Sequence, residues 1–262
     1  MSFSQAFPYL LSAGLFLGLA GCVTKNPSMP MTAREARQEI VELRRTPVTQ
    51  KRPLVVISGF NDFGIPSHTL APKFHRIFTD PQIVKVSMLG CHTFEACADR
   101  LVKAVEAKFP SGSSKETVEV DVVAVSMGGL VSRYAATPQP GRKRLAIKRL
   151  FTISSPHQGA DLAGLPAFEE VQTDMRFGSP FLRKLNATKP PYEIFPYVRI
   201  GDVIVGAKNT ALGGESPWWV PPEDVSPAHG FAYDDDRIFL DIALRLRGEK
   251  PISTLPRTPL PR

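Results

Sequence analysis

Apolar positions along the chain alternate between two periods. Short runs rich in β-branched residues lie at 53–58 (Pro53-Leu54-Val55-Val56-Ile57-Ser58), 83–88, 120–125, 150–153 and 197–200, and they read as buried strands. Between them the period lengthens. Ala98, Leu101, Val102, Val105 and Phe109 recur at helical spacing and predict a helix over 94–109. Further helices are expected over 69–78, from Gly128 to about Ala136, and over 235–247, where Ile238, Phe239, Ile242, Leu244 and Leu246 are the apolar positions. Strands alternating with helices predict an α/β fold, a mostly parallel central sheet with helices on both faces. The rhythm fails over 161–195. Leu162, Leu165, Phe168, Phe177, Phe181, Leu182 and Leu185 are interspersed there with prolines, and short helices forming a small cap insert are expected. No internal repeat is present.

The two ends differ from this core. Residues 10–20 are an apolar run of signal-peptide length, too short for a membrane span, ending in Leu19-Ala20-Gly21-Cys22. That ending resembles the lipobox of bacterial lipoproteins. The resemblance implies removal of residues 1–21, acylation of Cys22 and a membrane anchor. No Asp follows Cys22, so the outer membrane of a bacterial cell envelope, facing the periplasm, is the expected location. Residues 22–50 read as a tether. Within it, Thr32-Ala33-Arg34-Glu35 forms a capping-box pattern that opens a short charged helix. The domain is expected over 51–248, and the proline-rich, basic residues 249–262 read as a disordered tail.

Composition narrows the class. The chain has 262 residues, 43% hydrophobic and 22% charged, with a net charge of +7. One ordinary globular domain, a monomer, is expected. Arg142-Lys143-Arg144 and Lys148-Arg149 are the dense basic run, and no nucleic-acid motif accompanies them, so the charge reads as solvated surface. No metal-ligand spacing and no phosphate loop appear, so no cofactor and no metal are implied. Two cysteines remain beside Cys22. Cys91 and Cys97 could close a small disulfide loop in an oxidising compartment, or stand as core thiols.

The chemistry centres on Ala124-Val125-Ser126-Met127-Gly128-Gly129-Leu130. An apolar strand ends in a serine, two glycines follow, and a helix begins. This resembles the nucleophile elbow of lipases and esterases in the α/β-hydrolase superfamily, with Ala in place of the usual first Gly. The resemblance implies Ser126 as nucleophile and an α/β-hydrolase fold over about 53–247. It places a second oxyanion N–H in the loop after the 53–58 strand. Phe60 takes that position, paired with the N–H of Met127, and Asn61 is the fallback. Ser154-Ser155-Pro156-His157-Gln158-Gly159 resembles the Thr-Pro-His-x-Gly segment of lipases, whose histidine is usually structural. His157 as general base is the alternative. The family's acid follows a later strand, where Asp202 stands, with Asp224 the weaker candidate. Its base lies in the loop before the last helix, where His229 stands. Of the five histidines, His229 alone follows Asp202.

The implied activity is hydrolysis of carboxylic esters, lipid or acyl esters above all, through Ser126, Asp202 and His229 and an acyl-enzyme. The apolar cap, together with Trp218-Trp219 taken as exposed, points to a lipid or long-chain ester, and a short-acyl esterase is equally compatible with the motifs. An acyltransferase on the same triad, or a catalytically silent envelope scaffold, remains open at this level.

Overall fold

The computed structural model describes residues 25–161 and 169–261. Six parallel strands form one sheet: β1 (Leu54–Phe60), β2 (Ile83–Met88), β3 (Val120–Val125), β4 (Ile147–Ile153), β5 (Glu193–Arg199) and β6 (Trp218–Val220). Their spatial order is β2-β1-β3-β4-β5-β6. Helices α1 (Ala33–Arg45), α2 (Ile65–His75) and α8 (Asp236–Arg247) cover one face, and α3 (Phe94–Lys108) and α4 (Gly128–Ala136) cover the other. The insert after β4 contains α5 (Glu170–Asp174) and α6 (Pro180–Asn186), and α7 (Ala228–Phe231) precedes α8.

The two-sided cover explains the unbroken apolar runs. Leu54 and Val56 of β1 enter the core shared with Phe74 and Phe239, while Val55 and Ile57 enter the core shared with Leu101 and Leu130. Both faces are dry, so a strand needs no polar alternation. Full burial of each such side chain contributes about 1.5–3 kcal/mol. The polar interruption in β3, Asp121, is 3% exposed and takes a two-pronged pair from Arg149 on neighbouring β4, at 2.9 and 2.6 Å.

Four expectations change. Helix α2 begins at Ile65 rather than at residue 69, because Pro66 suits a first helical turn and Asp62 Oδ1 accepts the N–H groups of Gly64 and Ile65. The stretch read as a tether is part of the fold from residue 25 onward. Ala36, Ile40 and Leu43 of α1 are buried in the α2/α8 core, and Arg247 of α8 donates to the carbonyls of Leu43 and Thr46. The tail read as disordered is ordered as far as residue 261 and packs on β6. Trp218 Nε1 donates to Thr254 O at 3.1 Å, and Trp219 Nε1 to Thr258 O at 3.0 Å. Trp218 and Trp219, taken as exposed, are 3% and 1% exposed. The tail also bonds to Ser28, where Thr254 N donates to Ser28 O and Thr258 N to Ser28 Oγ, and nearby Asn26 Nδ2 donates to Trp219 O of β6.

Cys91 and Cys97 are free thiols, not a disulfide. Both are buried under α3, where burial pushes the Cys97 thiol up and a hydrogen bond with Cys91 adds to the shift. The leader residues and Cys22 lie outside the described residues, as do Leu162, Leu165 and Phe168 of the insert.

Candidate active site

Ser126 sits at the tip of β3, where the chain reverses into α4. Its φ is +52°, a left-handed conformation that an L residue adopts only under constraint. The constraint is close packing on both sides of the turn. A Cβ on Gly128 would meet Ser58 O at 2.7 Å, and one on Gly129 would meet Ser155 Oγ at 2.3 Å. These two glycines therefore let the helix lie against β1 and the β4 loop, and that closeness holds the serine at the apex. Ser126 N donates to Ile153 O at 2.9 Å, which ties the turn to β4.

His229 reaches Ser126 from α7. Its Nε2 is 3.1 Å from Ser126 Oγ, and its Nδ1 is 2.9 Å from Asp202 Oδ2. A carboxylate only accepts, so Nδ1 carries the proton and Nε2 is the acceptor facing the serine hydroxyl. Asp202 follows β5 and its side chain is fully buried. Its other oxygen accepts the N–H groups of Ile204 and Val205, each at 3.0 Å. Burial alone would raise its pKa. The hydrogen bond and charge of His229, with the Val205 N–H, outweigh that and hold the carboxyl below its ordinary value. Ser126 and His229 stand 103 positions apart in the chain, yet with Asp202 they meet in one hydrogen-bonded line.

The other candidates have different surroundings. Phe60 ends β1 just past a register shift and lines the cleft beside Gly59, whose Cβ position lies 3.0 Å from Ser126 Cβ. Met127 is buried directly after the serine, at the start of α4. Both backbones therefore border the serine. Asn61 is exposed and does not line the cleft. Asp224 is exposed and paired with Arg199 at 2.6 Å; hydrogen bonds from Ser226 and Arg199 hold it well below the usual carboxylate range.

His157 is fully buried and reaches neither the cleft nor the serine. Arg133 Nη1 lies 3.3 Å from its Nδ1, and Thr152 Oγ1 lies 3.1 Å from its Nε2. An arginine only donates, so Nδ1 accepts and the ring is neutral with its proton on Nε2. Burial, with the Arg133 charge, holds its pKa well below 6.5. Arg133 goes on to Leu185 O and Asn186 Oδ1, and Asn186 Nδ2 donates to His157 O. The histidine therefore clamps the end of α6 to the β4 loop. This has a measurable consequence. The unfolded chain takes up a proton at this histidine below about pH 6.5 and the folded chain does not. Stability is then complete above that pH and falls as the solution is acidified, by up to about 1.4 kcal/mol per pH unit for this one group. Urea unfolding at pH 7.5 and pH 5 should show that loss, and His157→Gln should flatten it.

The cleft over Ser126 has a volume of ≈ 460 Å³. Ile65 and Pro66 of α2, Met175 beside α5, and Ile204 and Val205 form apolar walls, with Gln172, Asp62 and Tyr233 as polar groups. The described part of the insert therefore borders the cleft. Its α5 is attached to the loop before α3 by Val171 N donating to His92 O and by a 3.2 Å pair of His92 with Glu169. Nothing in the sequence marked Asp62 or Tyr233 as cleft residues, because their approach depends on how the β1–α2 loop and the α7–α8 join fold together.

A family model described as a PGAP1-like alpha/beta domain matches residues 76–176, a stretch that contains Ser126 and ends before Asp202 and His229. No curated protein matches the chain in sequence. Among solved structures, the mature Bacillus licheniformis lipase BlEst2 is similar at 16% identity and a TM-score of 0.52, over 79% of this chain and 94% of that one. The metagenomic carboxyl esterase MGS0156 is similar at 14% identity and a TM-score of 0.53, over 77% of this chain and 76% of that one. Phospholipase PlaB from Legionella pneumophila, in complex with thio-NAD, aligns with a TM-score of 0.46 and 13% identity. The alignment covers 61% of this chain but spans only 44% of PlaB. The strand order, the elbow and the likeness to the lipase and the carboxyl esterase agree: the chain has the α/β-hydrolase fold, and its residues 76–176 are similar to a PGAP1-like alpha/beta domain.

Proposed function

We propose that the protein is a serine hydrolase of carboxylic esters, acting on lipid or other acyl esters. The observation that carries this reading is the line Asp202–His229–Ser126, ending on a serine held at φ +52° at the floor of an apolar cleft. Ser126 Oγ attacks the ester carbonyl as His229 Nε2 takes its proton. Asp202 keeps the imidazole in the tautomer with the proton on Nδ1 and stabilises the imidazolium. The N–H groups of Met127 and Phe60 receive the oxyanion, where loss of one donor costs about 2.7–4 kcal/mol of barrier. His229 then protonates the leaving alcohol, and water, activated by the same imidazole, releases the acid from Ser126. The names of the two proteins of like fold, a lipase and a carboxyl esterase, accord with this chemistry.

The lipid preference rests on the surface around the cleft. Phe63 and Ile65, Val203 and Ile204, and Phe231 are exposed apolar residues on the three segments that contribute Asp62, Val205 and Gly230 to its walls. Such an apolar surround suits a substrate presented from a lipid layer. Acylation at Cys22 and residence on the periplasmic face of an outer membrane would keep the enzyme beside that layer, since more than one acyl chain gives a stable anchor.

The test is covalent. A fluorophosphonate should add a single label per protein, on the peptide that contains Ser126, and labelled protein should lose all hydrolysis of p-nitrophenyl butyrate and palmitate. Label on any other residue, or activity that survives full labelling, overturns the reading.

A further inference from the structure

The protein carries a net charge of +7, yet its cleft has the opposite character. Among the described residues that line it there is no lysine and no arginine, and apart from His229 the ionisable groups are Asp62 and Tyr233. Asp202 lies behind His229 and its charge is engaged by the imidazole. Asp62 is different. Its Oδ1 accepts from Gly64 N at 2.5 Å and from Ile65 N at 2.8 Å, which fixes the direction of the carboxylate at the start of α2. Its backbone carbonyl accepts from Ser87 Oγ at 2.6 Å, so the loop beneath it is held as well. Among the described residues no cation pairs with it. Tyr233 registers its field: burial raises the phenol, and the charges of Asp234 and Asp62 raise it further.

We propose that Asp62 makes the cleft charge-selective, so that it takes esters that are uncharged or carry an ammonium group and turns away esters that carry an anion close to the scissile bond. This rests on the hydrolase reading above and specifies its substrate class. A fixed negative charge within a partly desolvated, apolar cleft repels a second one at a separation of several ångströms. With an effective dielectric near 20, the repulsion corresponds to about tenfold or more in transition-state affinity. The same geometry favours a lipid whose head is neutral or ammonium-bearing over one whose head is only anionic.

The experiment compares kcat/KM for three p-nitrophenyl esters of similar length: the butyrate, the hemisuccinate with its terminal carboxylate, and the 4-trimethylammoniobutyrate. The readout is the ratio of each charged ester to the butyrate. In the unmodified protein the anionic ratio should be about 0.1 or lower. Asp62→Asn removes the charge and retains a carbonyl oxygen for the Gly64 and Ile65 N–H groups, so the turn survives. In that variant the anionic ratio should rise about tenfold and the cationic ratio should fall. Raising the salt from about 0.05 to about 0.5 M should shrink the discrimination in the unmodified protein and leave the variant unaffected. Ratios that are the same in both proteins, or indifferent to salt, overturn charge selection alone. Absence of turnover on the neutral butyrate overturns the hydrolase reading, and charge selection with it.

Discussion

Ser126→Ala and His229→Ala are each expected to lower kcat on p-nitrophenyl butyrate by at least about 10⁴-fold, and the double variant is expected to be no worse than either single one. The reason is the geometry of the pair. With Ser126 Oγ 3.1 Å from His229 Nε2, the two groups act as one unit. The base without the nucleophile attacks nothing, and the nucleophile without the base retains its proton. Two independent contributors would multiply, and a measured double variant far below both singles would overturn the pairing. A companion variant reads the strain. Ser126→Gly removes the same hydroxyl but also relieves the left-handed backbone at φ +52°. It should therefore be inactive yet more stable than the parent, by about 1 kcal/mol in urea unfolding. A Ser126→Gly protein less stable than Ser126→Ala would mean that the elbow stores no strain.

Asp202→Asn should lower kcat by about 10⁴-fold with little change in KM, a magnitude seen where such a change reverses a histidine tautomer. The hydrogen bonds around this residue dictate which way the new amide turns. Oδ1 is held by two backbone N–H groups, from Ile204 and Val205, so the oxygen of an asparagine stays there. Its NH₂ then faces His229 Nδ1, where a proton now stands. Two donors cannot share that contact. The imidazole shifts its proton to Nε2 and loses the lone pair that receives the Ser126 proton. Fluorophosphonate labelling of the variant should slow in step with kcat. A variant that labels at the parent rate would show that Asp202 does not set the tautomer.

Much of this architecture is legible in the chain itself. Apolar β-branched runs separated by helical spacing give the parallel sheet, because strands covered on both faces need no polar alternation. The elbow is legible because its two requirements, small residues and a strand-to-helix change, are both local. Asp202 and His229 are legible only through chain order, since their meeting with Ser126 is a tertiary event. Other features leave a weaker signal. Ala36, Ile40 and Leu43 fall on one helical stripe, but the abundant charges of α1 hide it. The three-residue strand Trp218–Val220 is too short to show a period. The proline-rich tail reads as disordered because composition counts side chains, whereas many of its contacts are made by its backbone: the carbonyls of Thr254, Thr258 and Pro259 accept from two indole N–H groups, and the N–H groups of Thr254 and Thr258 donate to Ser28. Asp62 carries no local signature, since the opposite walls of its cleft come from remote segments that bring Met175, Ile204 and Tyr233.

The packing of Asn26, Ser28 and the 249–261 segment on β6 bears on how the molecule behaves among its own copies. Among the described residues β6 is the last strand of the sheet; Asn26 Nδ2 takes the Trp219 carbonyl, and the tail accepts from the indoles of Trp218 and Trp219. An uncovered edge is a template for intermolecular strand pairing. Here the template would be flanked by two tryptophans, which would add adhesive apolar surface. A protease that clipped the chain after Gly248 would remove the indole acceptors, and the contacts to Ser28 with them, in one cut. Self-association, before any loss of the hydrogen-bonded line at Ser126, would then be the first failure of the trimmed protein.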